Sequence, residues 1–144
     1  MNKEKIDGLH CILLVDDDEP TNFFHRKMIE FSEIDTHVQV TTSAVEALEY
    51  LTSSGRYADA EGYPQPGIIF LDINMPGMNG WDFLEDYRGL NDNQKARIIV
   101  VMLTSSINPA DRELAGRHAE ITTFLQKPLT VENIQRLVSS YFVT

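Results

Sequence analysis

Cysteine and long apolar runs are scarce in this sequence of 144 residues. The single cysteine, Cys11, cannot form an internal disulfide, and its place in an apolar run is typical of a small buried side chain in a reducing compartment. Residues 1–10 lack the apolar stretch of a signal peptide, and the run that begins at Cys11 is soon interrupted by aspartates. We therefore expect a cytoplasmic protein with neither a signal peptide nor a membrane span.

Positive charge is also scarce. Lysine and arginine total 12 against 22 aspartates and glutamates, which gives a net charge of −10. The basic residues are scattered, and the net negative charge opposes attraction to a phosphate backbone. We therefore expect no direct binding of nucleic acid.

The remaining composition is that of an ordinary globular domain, with 42% hydrophobic and 24% charged residues. A chain of this length falls in the usual range for one domain. We expect a single domain over residues 1–144, with no effector domain. Residues 52–67, rich in Ser, Gly, Pro and Tyr, are interpreted as a surface insertion away from the functional site, with a partner-binding loop as the alternative.

Short apolar runs alternate with segments of helical period, which is the pattern of βαβ units around a parallel sheet. The first, third and fourth runs are continuously apolar, so we expect interior strands covered by helices on both faces. The sequence therefore predicts an α/β fold, a doubly wound parallel sheet of five strands that are each followed by a helix. The predicted strands span residues 9–15, 37–41, 68–72, 97–103 and 121–125.

Inward faces can be predicted for the first and last helices. Pro20 suits the first turn of the first helix. Phe24, Met28 and Phe31 fall on one stripe of that helix, which we expect to face the core. In the fifth helix, which Thr130 opens, the same periodicity predicts an inward stripe. Its members are Val131, Ile134, Leu137, Val138 and Tyr141.

Four of the apolar runs end at or near residues able to do phosphoryl or metal chemistry. Parallel strands end at one edge of their sheet, where ligands of open α/β sheets bind, so these side chains should converge on one pocket. Carboxylates placed together repel one another, and a hard divalent cation such as Mg²⁺ would relieve the repulsion. The residues are Asp16, Asp17, Asp18, Asp72, Thr104 and Lys127.

Each of these residues also has a plainer interpretation. Asp18 and Glu19 suit the start of the first helix, where the helix dipole favours negative charge, and we prefer that role for them. Taken singly, Asp72 is typical of a turn, Thr104 of a strand end and Lys127 of a solvated surface. Their joint placement at the strand ends favours a functional site instead.

In order and spacing, these residues resemble the receiver domain of two-component response regulators, and the resemblance covers nearly the whole chain. The Met-Pro-x-Met-x-Gly stretch after the third strand is a fairly specific signal, whereas Asp-Asp or Lys-Pro alone is weak. The segments that carry the resemblance are Val15-Asp16-Asp17, Leu71-Asp72, Met75-Pro76-Gly77-Met78-Asn79-Gly80, Thr104 and Lys127-Pro128.

The resemblance implies a flavodoxin-like sheet with strand order 2-1-3-4-5, and it implies that Asp72 is a phosphoacceptor. Asp72 would take a phosphoryl group from a phosphohistidine on a sensor histidine kinase or a histidine phosphotransfer protein. Asp17, Asp72 and the backbone carbonyl of Asn74 would coordinate Mg²⁺, and Asp16 would assist through water. Such a site fits phosphoryl transfer, which needs positioning and charge neutralisation more than covalent help.

The resemblance also implies roles for residues near the ends of the last two strands. Lys127 would pair with one phosphoryl oxygen, Thr104 would hydrogen-bond another, and the Lys127–Pro128 bond would be cis. On phosphorylation, Thr104 would move toward the phosphoryl group and Phe124 would turn inward, as a two-state switch. Many family members have Tyr where this chain has Phe124; a purely structural, buried Phe124 is the alternative.

The sequence leaves the output of such a domain open. We expect no enzyme activity beyond its own phosphotransfer and autodephosphorylation. The signal would then pass by phosphorylation-dependent binding of an unidentified protein, by dimerisation, or onward as phosphate to a histidine phosphotransfer protein. By family analogy, the leading output surface is the face of the fourth helix, fifth strand and fifth helix.

Two other functions would use the same residues. A haloacid-dehalogenase-like, Mg²⁺-dependent phosphatase also has an aspartate nucleophile, and Asp16-Asp17-Asp18 superficially suits its Asp-x-Asp motif. However, Pro20 stands where that motif expects Thr or Val. The second alternative is a pseudo-receiver that binds partners without phosphate, and the presence of every site residue of the family argues against it.

Overall fold

Five apolar runs of the sequence form one parallel sheet in the computed structural model, which describes residues 3–58, 63–104 and 107–142. The strands are β1 (Cys11–Val15), β2 (His37–Thr41), β3 (Ile68–Asp72), β4 (Ile98–Leu103) and β5 (Thr123–Gln126). The helices are α1 (Glu19–Phe31), α2 (Ala44–Thr52), α3 (Gly80–Arg88), α4 (Pro109–Ala115) and α5 (Val131–Tyr141). The strand order is β2-β1-β3-β4-β5, so the predicted doubly wound fold and its order are confirmed.

The interior strands are those that the continuous apolar runs predicted. Every residue of β1 and β3 is buried, and only Leu103 of β4 is partly accessible. Alternate residues of these strands point to opposite faces, so the sheet has two cores. Helices α2 and α3 cover one face, and α1 and α5 cover the other. Within the described residues, no helix is both long enough and apolar enough to cross a membrane.

Two predicted strands start two residues too early. Leu9 is buried, but its N–H turns back to the carbonyl of Ile6 at 3.1 Å, so the ladder of β1 begins only at Cys11. Ile121 likewise donates to His118 at 3.3 Å in a turn, and β5 begins at Thr123. In both places, apolar side chains continue beyond the hydrogen-bonded part of the strand. Apolar periodicity alone does not show where the strand pairing begins. The fourth strand starts one residue later than predicted, and the second and third match.

The predicted inward stripe of α1 is wrong at Phe24 and Phe31, whereas Met28 packs against the core. Phe24 and Phe31 are 43% and 61% exposed, and Met28 is only partly buried. The buried residues of α1 are instead Asn22, His25 and Ile29. The inward stripe of α5 is confirmed at Ile134, Leu137 and Val138, whereas Tyr141 is 40% exposed.

Each of the five helices begins at a side chain that accepts a backbone N–H of its first turn. Such a cap contributes about 1 kcal/mol to helix stability and fixes where the helix starts. Asp18 is one of them, which confirms its predicted role at the helix start, and Glu19 is the acidic residue of the first turn. The caps are Asp18, Ser43, Asn79, Asn108 and Thr130.

The long connection before β3 is folded against the edge of the sheet where its described part can be followed. Tyr57 is buried, accepts a hydrogen bond from Gln39 and donates one to Glu46 at 2.8 Å. The rings of Tyr50, Tyr57 and Tyr63 meet edge to face. This tyrosine cluster anchors the connection to β2 and α2. Residues 59–62 of the predicted insertion lie outside the described part of the chain.

Candidate functional site

Three carboxylates meet at the carboxyl edge of the sheet. Asp16 directly follows β1, and Asp72 is the last residue of the neighbouring β3; both are 5% exposed. Asp17 is exposed. One side-chain oxygen from each of the three lies within 4.8 Å of the other two, a spacing that a single metal ion could bridge. Parallel pairing of β1 with β3 brings together residues that are far apart in the chain.

The electrostatics of this cluster favour a bound cation. Burial raises the pKa of Asp72 above its ordinary value, the charge of Asp16 raises it further, and Lys127 partly opposes both. Because the carboxylates are hard oxygen ligands, the cluster fits Mg²⁺ or a similar divalent ion.

Lys127 lies between the two buried carboxylates. Its Nζ donates to Oδ2 of Asp16 at 2.6 Å and is 3.5 Å from Oδ1 of Asp72. Burial opposes the charged amine, but the contacts with Asp16 and Asp72 outweigh that effect and raise the pKa of Lys127. The Lys127–Pro128 peptide bond is cis, as the resemblance implied.

The loop after β3 holds Asp72 through its backbone. The N–H of Asn74 donates to Oδ1 of Asp72 at 3.3 Å. A side chain at position 80 would clash, because a Cβ there would lie 2.6 Å from Cα of Ile73 and 2.9 Å from the carbonyl oxygen of Asp72. Gly77 has a φ of +74°, in the left-handed region. Gly80 thus allows α3 to start close against the Asp72 backbone, and Gly77 allows the turn before it.

Thr104 lies at the end of β4 and Phe124 lies within β5, as expected from the predicted parallel sheet. Thr104 directly follows β4 and is exposed. Phe124 pairs with Val101 across the β4–β5 ladder and is half-buried against the core under α2 and α3. Both residues lie on the β4–β5 side of the sheet, and their place in the site and their switching roles stay predictions.

Two buried residues of α1 also belong to the site, and neither was predicted from the sequence. Nδ2 of Asn22 donates to the backbone carbonyl of Asp16 at 2.8 Å. Nε2 of His25 accepts from the N–H of Leu129 at 3.1 Å. A signal was present in the sequence, since Asn22, His25 and Ile29 share a helical stripe. Three phenylalanines elsewhere on α1 obscured it.

A second missed contact joins α3 to α4. None of the seven described residues of α4 is buried. Nε1 of Trp81 donates to Oδ1 of Asp111 at 3.2 Å, and the Trp81 ring stacks on His118 at a centroid distance of 5.8 Å. A helix without a buried residue depends more than usual on such contacts, so Trp81 is important in holding α4.

The doubly wound sheet and the acidic pocket at its carboxyl edge define a flavodoxin-like domain of the receiver type. The sequence model of one protein family, described as "Response regulator receiver domain", matches residues 12–139 of this chain. The chain therefore belongs to the receiver domains of two-component response regulators. Receiver domains bind a divalent metal at an acidic pocket of this kind and take phosphoryl groups from histidine kinases.

Individual relatives agree with this assignment. Response regulator Rcp1 of Synechocystis is 28% identical over 127 residues, which cover 88% of this chain and 82% of that protein. A two-component response regulator structure from Cytophaga hutchinsonii is 29% identical, with a TM-score of 0.77 and coverage of 96% of this chain and 98% of the other.

Some relatives are longer than this chain. Response regulator MprA of Mycobacterium tuberculosis is 27% identical over 123 residues, and the match spans 85% of this chain but 46% of MprA. The phosphatase and pseudo-receiver alternatives are not favoured by these matches. The expectation of a single domain over residues 1–144 stays a prediction.

Proposed function

We propose that Asp72 accepts a phosphoryl group from a phosphohistidine of a sensor histidine kinase or a histidine phosphotransfer protein. The observation that carries this proposal is the convergence of Asp16, Asp17, Asp72 and Lys127 on one pocket. A buried carboxylate next to other carboxylates and an amine is suited to receive a charged phosphoryl group once a cation is also present.

The transfer is a displacement at phosphorus. A carboxylate oxygen of Asp72 attacks, the P–N bond of the phosphohistidine breaks, and an acyl phosphate forms as the imidazole leaves with the bonding electrons. We assign Mg²⁺ to the carboxylates of Asp17 and Asp72 and the backbone carbonyl of Asn74, with Asp16 assisting through water. When bound, the ion supplies positive charge that stabilises the phosphoryl oxygens.

Lys127 and Thr104 contact the phosphoryl group in this proposal. The acyl phosphate carries its negative charge on the phosphoryl oxygens, so the Lys127 amine turns from the carboxylates toward these new oxygens. Thr104, at the adjacent strand end, hydrogen-bonds a further oxygen. The domain then catalyses only its own phosphorylation and dephosphorylation.

Phosphorylation by a small phosphodonor tests the proposal. Intact-mass spectrometry should show one added phosphoryl group on the wild type in the presence of Mg²⁺, and none after Mg²⁺ removal. Asp72→Asn should abolish the adduct, because an amide is a much weaker nucleophile than a carboxylate. Asp92→Asn, at an exposed position, is the matched control and should behave as wild type. An adduct that persists in Asp72→Asn would reject the assignment.

The phosphodonor protein has a natural approach along α1. A groove of about 330 Å³ beside the site is lined by Pro20, Thr21, Phe24, Lys127 and Pro128, with His25 at its base. Phe24 presents an exposed ring there. A donor protein that brings its phosphohistidine to Asp72 along α1 covers this groove, and the Phe24 ring gives the donor an apolar surface to contact.

The output runs through α4, β5 and α5 in this proposal. Thr104 moves toward the phosphoryl group and Phe124 turns inward, which changes the surface next to α4. The weak burial of α4 supports this choice, because such a helix can shift at little cost. The recipient is an unidentified output protein, a second copy of the chain, or a histidine phosphotransfer protein.

We place the protein in the cytoplasm, which the free, buried Cys11 suits.

A further inference from the structure

The inner face of α1 carries two polar side chains where a helix packed on a sheet usually has apolar ones. Asn22 is 4% exposed and His25 is 3% exposed. A buried polar group without a partner destabilises a fold, so the partners of Nδ2 of Asn22 and Nε2 of His25 indicate why these side chains are tolerated there; Oδ1 of Asn22 has no partner among the described residues.

Both side chains bond to segments that carry site residues. Asn22 binds the backbone carbonyl of Asp16, as described above. His25 binds the N–H of Leu129, which is fully buried and lies two residues after Lys127. The His25 bond therefore ties α1 to the turn that carries the amine.

An apolar side chain at position 25 cannot make this bond. A backbone N–H only donates, so Nε2 of His25 must be unprotonated and the proton of the neutral ring must be on Nδ1. Burial lowers the pKa of His25 to about 4, which keeps the ring neutral at neutral pH. With leucine in its place, the N–H of Leu129 would be buried without a partner, and the turn would shift to find one.

We propose that His25 is a positioning residue, which holds Lys127 against Asp16 and Asp72 by anchoring the N–H of Leu129 to α1. This inference rests on the proposed function, in which the Lys127 amine offsets the charge of the phosphoryl group. The Lys127 amine makes close contacts, since Nζ is 2.6 Å from Oδ2 of Asp16 and 3.5 Å from Oδ1 of Asp72. A small displacement of the turn would therefore disturb both contacts. A misplacement of about 1 Å at such a site can slow a reaction about 100-fold.

The rate at which a small phosphodonor phosphorylates Asp72 in Mg²⁺ measures this positioning. His25→Leu should be about tenfold slower than wild type, because the anchored N–H is lost. His25→Gln should stay within about threefold, since its side-chain carbonyl can accept the same hydrogen bond. Ile29→Ala is the matched control for lost stability: Ile29 is buried on the same face, so its rate should equal wild type below the unfolding temperature.

A double-mutant cycle separates positioning from a merely structural role. If His25 acts through the amine, adding His25→Leu to Lys127→Ala should cause no further loss of rate. The same tenfold loss in both backgrounds would overturn the inference, as would a wild-type rate for His25→Leu alone. A wild type that accepts no phosphoryl group would instead reject the proposed function itself.

If His25→Leu does not fold, an NMR measurement on the wild type tests the hydrogen bond between His25 and Leu129 on which the inference depends. The bond predicts an unprotonated Nε2, a protonated Nδ1 and a scalar coupling across the hydrogen bond between Nε2 of His25 and the amide of Leu129. A protonated Nε2 at neutral pH would overturn the inference without any reference to phosphorylation.

Discussion

The buried His25 should make the protein lose stability as the pH falls through the mildly acidic range. Its pKa is lowered from 6.5 to about 4, first by burial and then by the charge of Lys127, with Asp16 opposing. Between these values the unfolded chain binds a proton that the folded chain does not, so acidification favours unfolding. The contribution is complete above about pH 6.5 and is lost by about pH 4.

The size of this effect follows from the separation of the two pKa values. They are about 2.5 pH units apart, and each unit corresponds to about 1.4 kcal/mol, so the full loss is about 3 to 4 kcal/mol. This is a large share of the stability of a typical domain, which is about 5–15 kcal/mol. The loss should accompany protonation of Nε2 and release of the Leu129 N–H.

Denaturant unfolding at a series of pH values from 4 to 8 would measure the effect, with His25→Gln as the comparison. Glutamine does not titrate in this range, so the difference between the two proteins isolates His25 from the other ionisable groups. The wild type should lose its advantage over His25→Gln as the pH falls. His10→Gln, which replaces an exposed histidine, is the matched control. Parallel stability curves for wild type and His25→Gln would refute the reasoning.

Three further predictions address the donor, the output helix and the metal. Phe24→Ser should slow phosphorylation by a cognate kinase about fivefold but leave the small-phosphodonor rate unchanged, whereas Phe31→Ser, also at an exposed position but outside the groove, should change neither. Trp81→Phe should speed amide exchange in α4 about threefold to tenfold, with α5 unaffected; unchanged α4 exchange contradicts the role of its N–H. Mg²⁺ at about 100 times its Kd should add about 2.7 kcal/mol to the unfolding free energy of the wild type and much less to that of Asp72→Asn; equal gains would exclude Asp72 as a ligand.

The sheet could be predicted because each interior strand is indicated by its own short apolar run, and this pattern recurs along the chain. The continuous apolar runs of β1, β3 and β4 identify interior strands, and polar residues at their ends identify the functional edge. Asp16 and Lys127 are 111 residues apart, yet their contact follows once both are assigned to the same edge. The strand order itself came from the family resemblance.

The face of α1 could not be predicted from hydropathy. Its phenylalanines outnumber its inward apolar residues, because part of the inner surface is given to hydrogen bonds with the site. Apolar periodicity treats Asn22 and His25 as surface residues, and the stripe that they share with Ile29 is the sequence signal of their burial. The link from Trp81 to Asp111, in contrast, was not visible before the fold was known.

Locating the phosphoryl group on the chain tests the central claim most directly. An acyl phosphate is reduced by borohydride to an alcohol, so a phosphorylated aspartate becomes homoserine, which peptide mass mapping can place. After reaction with a small phosphodonor and Mg²⁺, homoserine is predicted at position 72 alone, with Asp16 and Asp17 unchanged. Homoserine at position 16 or 17, or an adduct without homoserine at 72, would contradict the assignment of Asp72 as the phosphoacceptor.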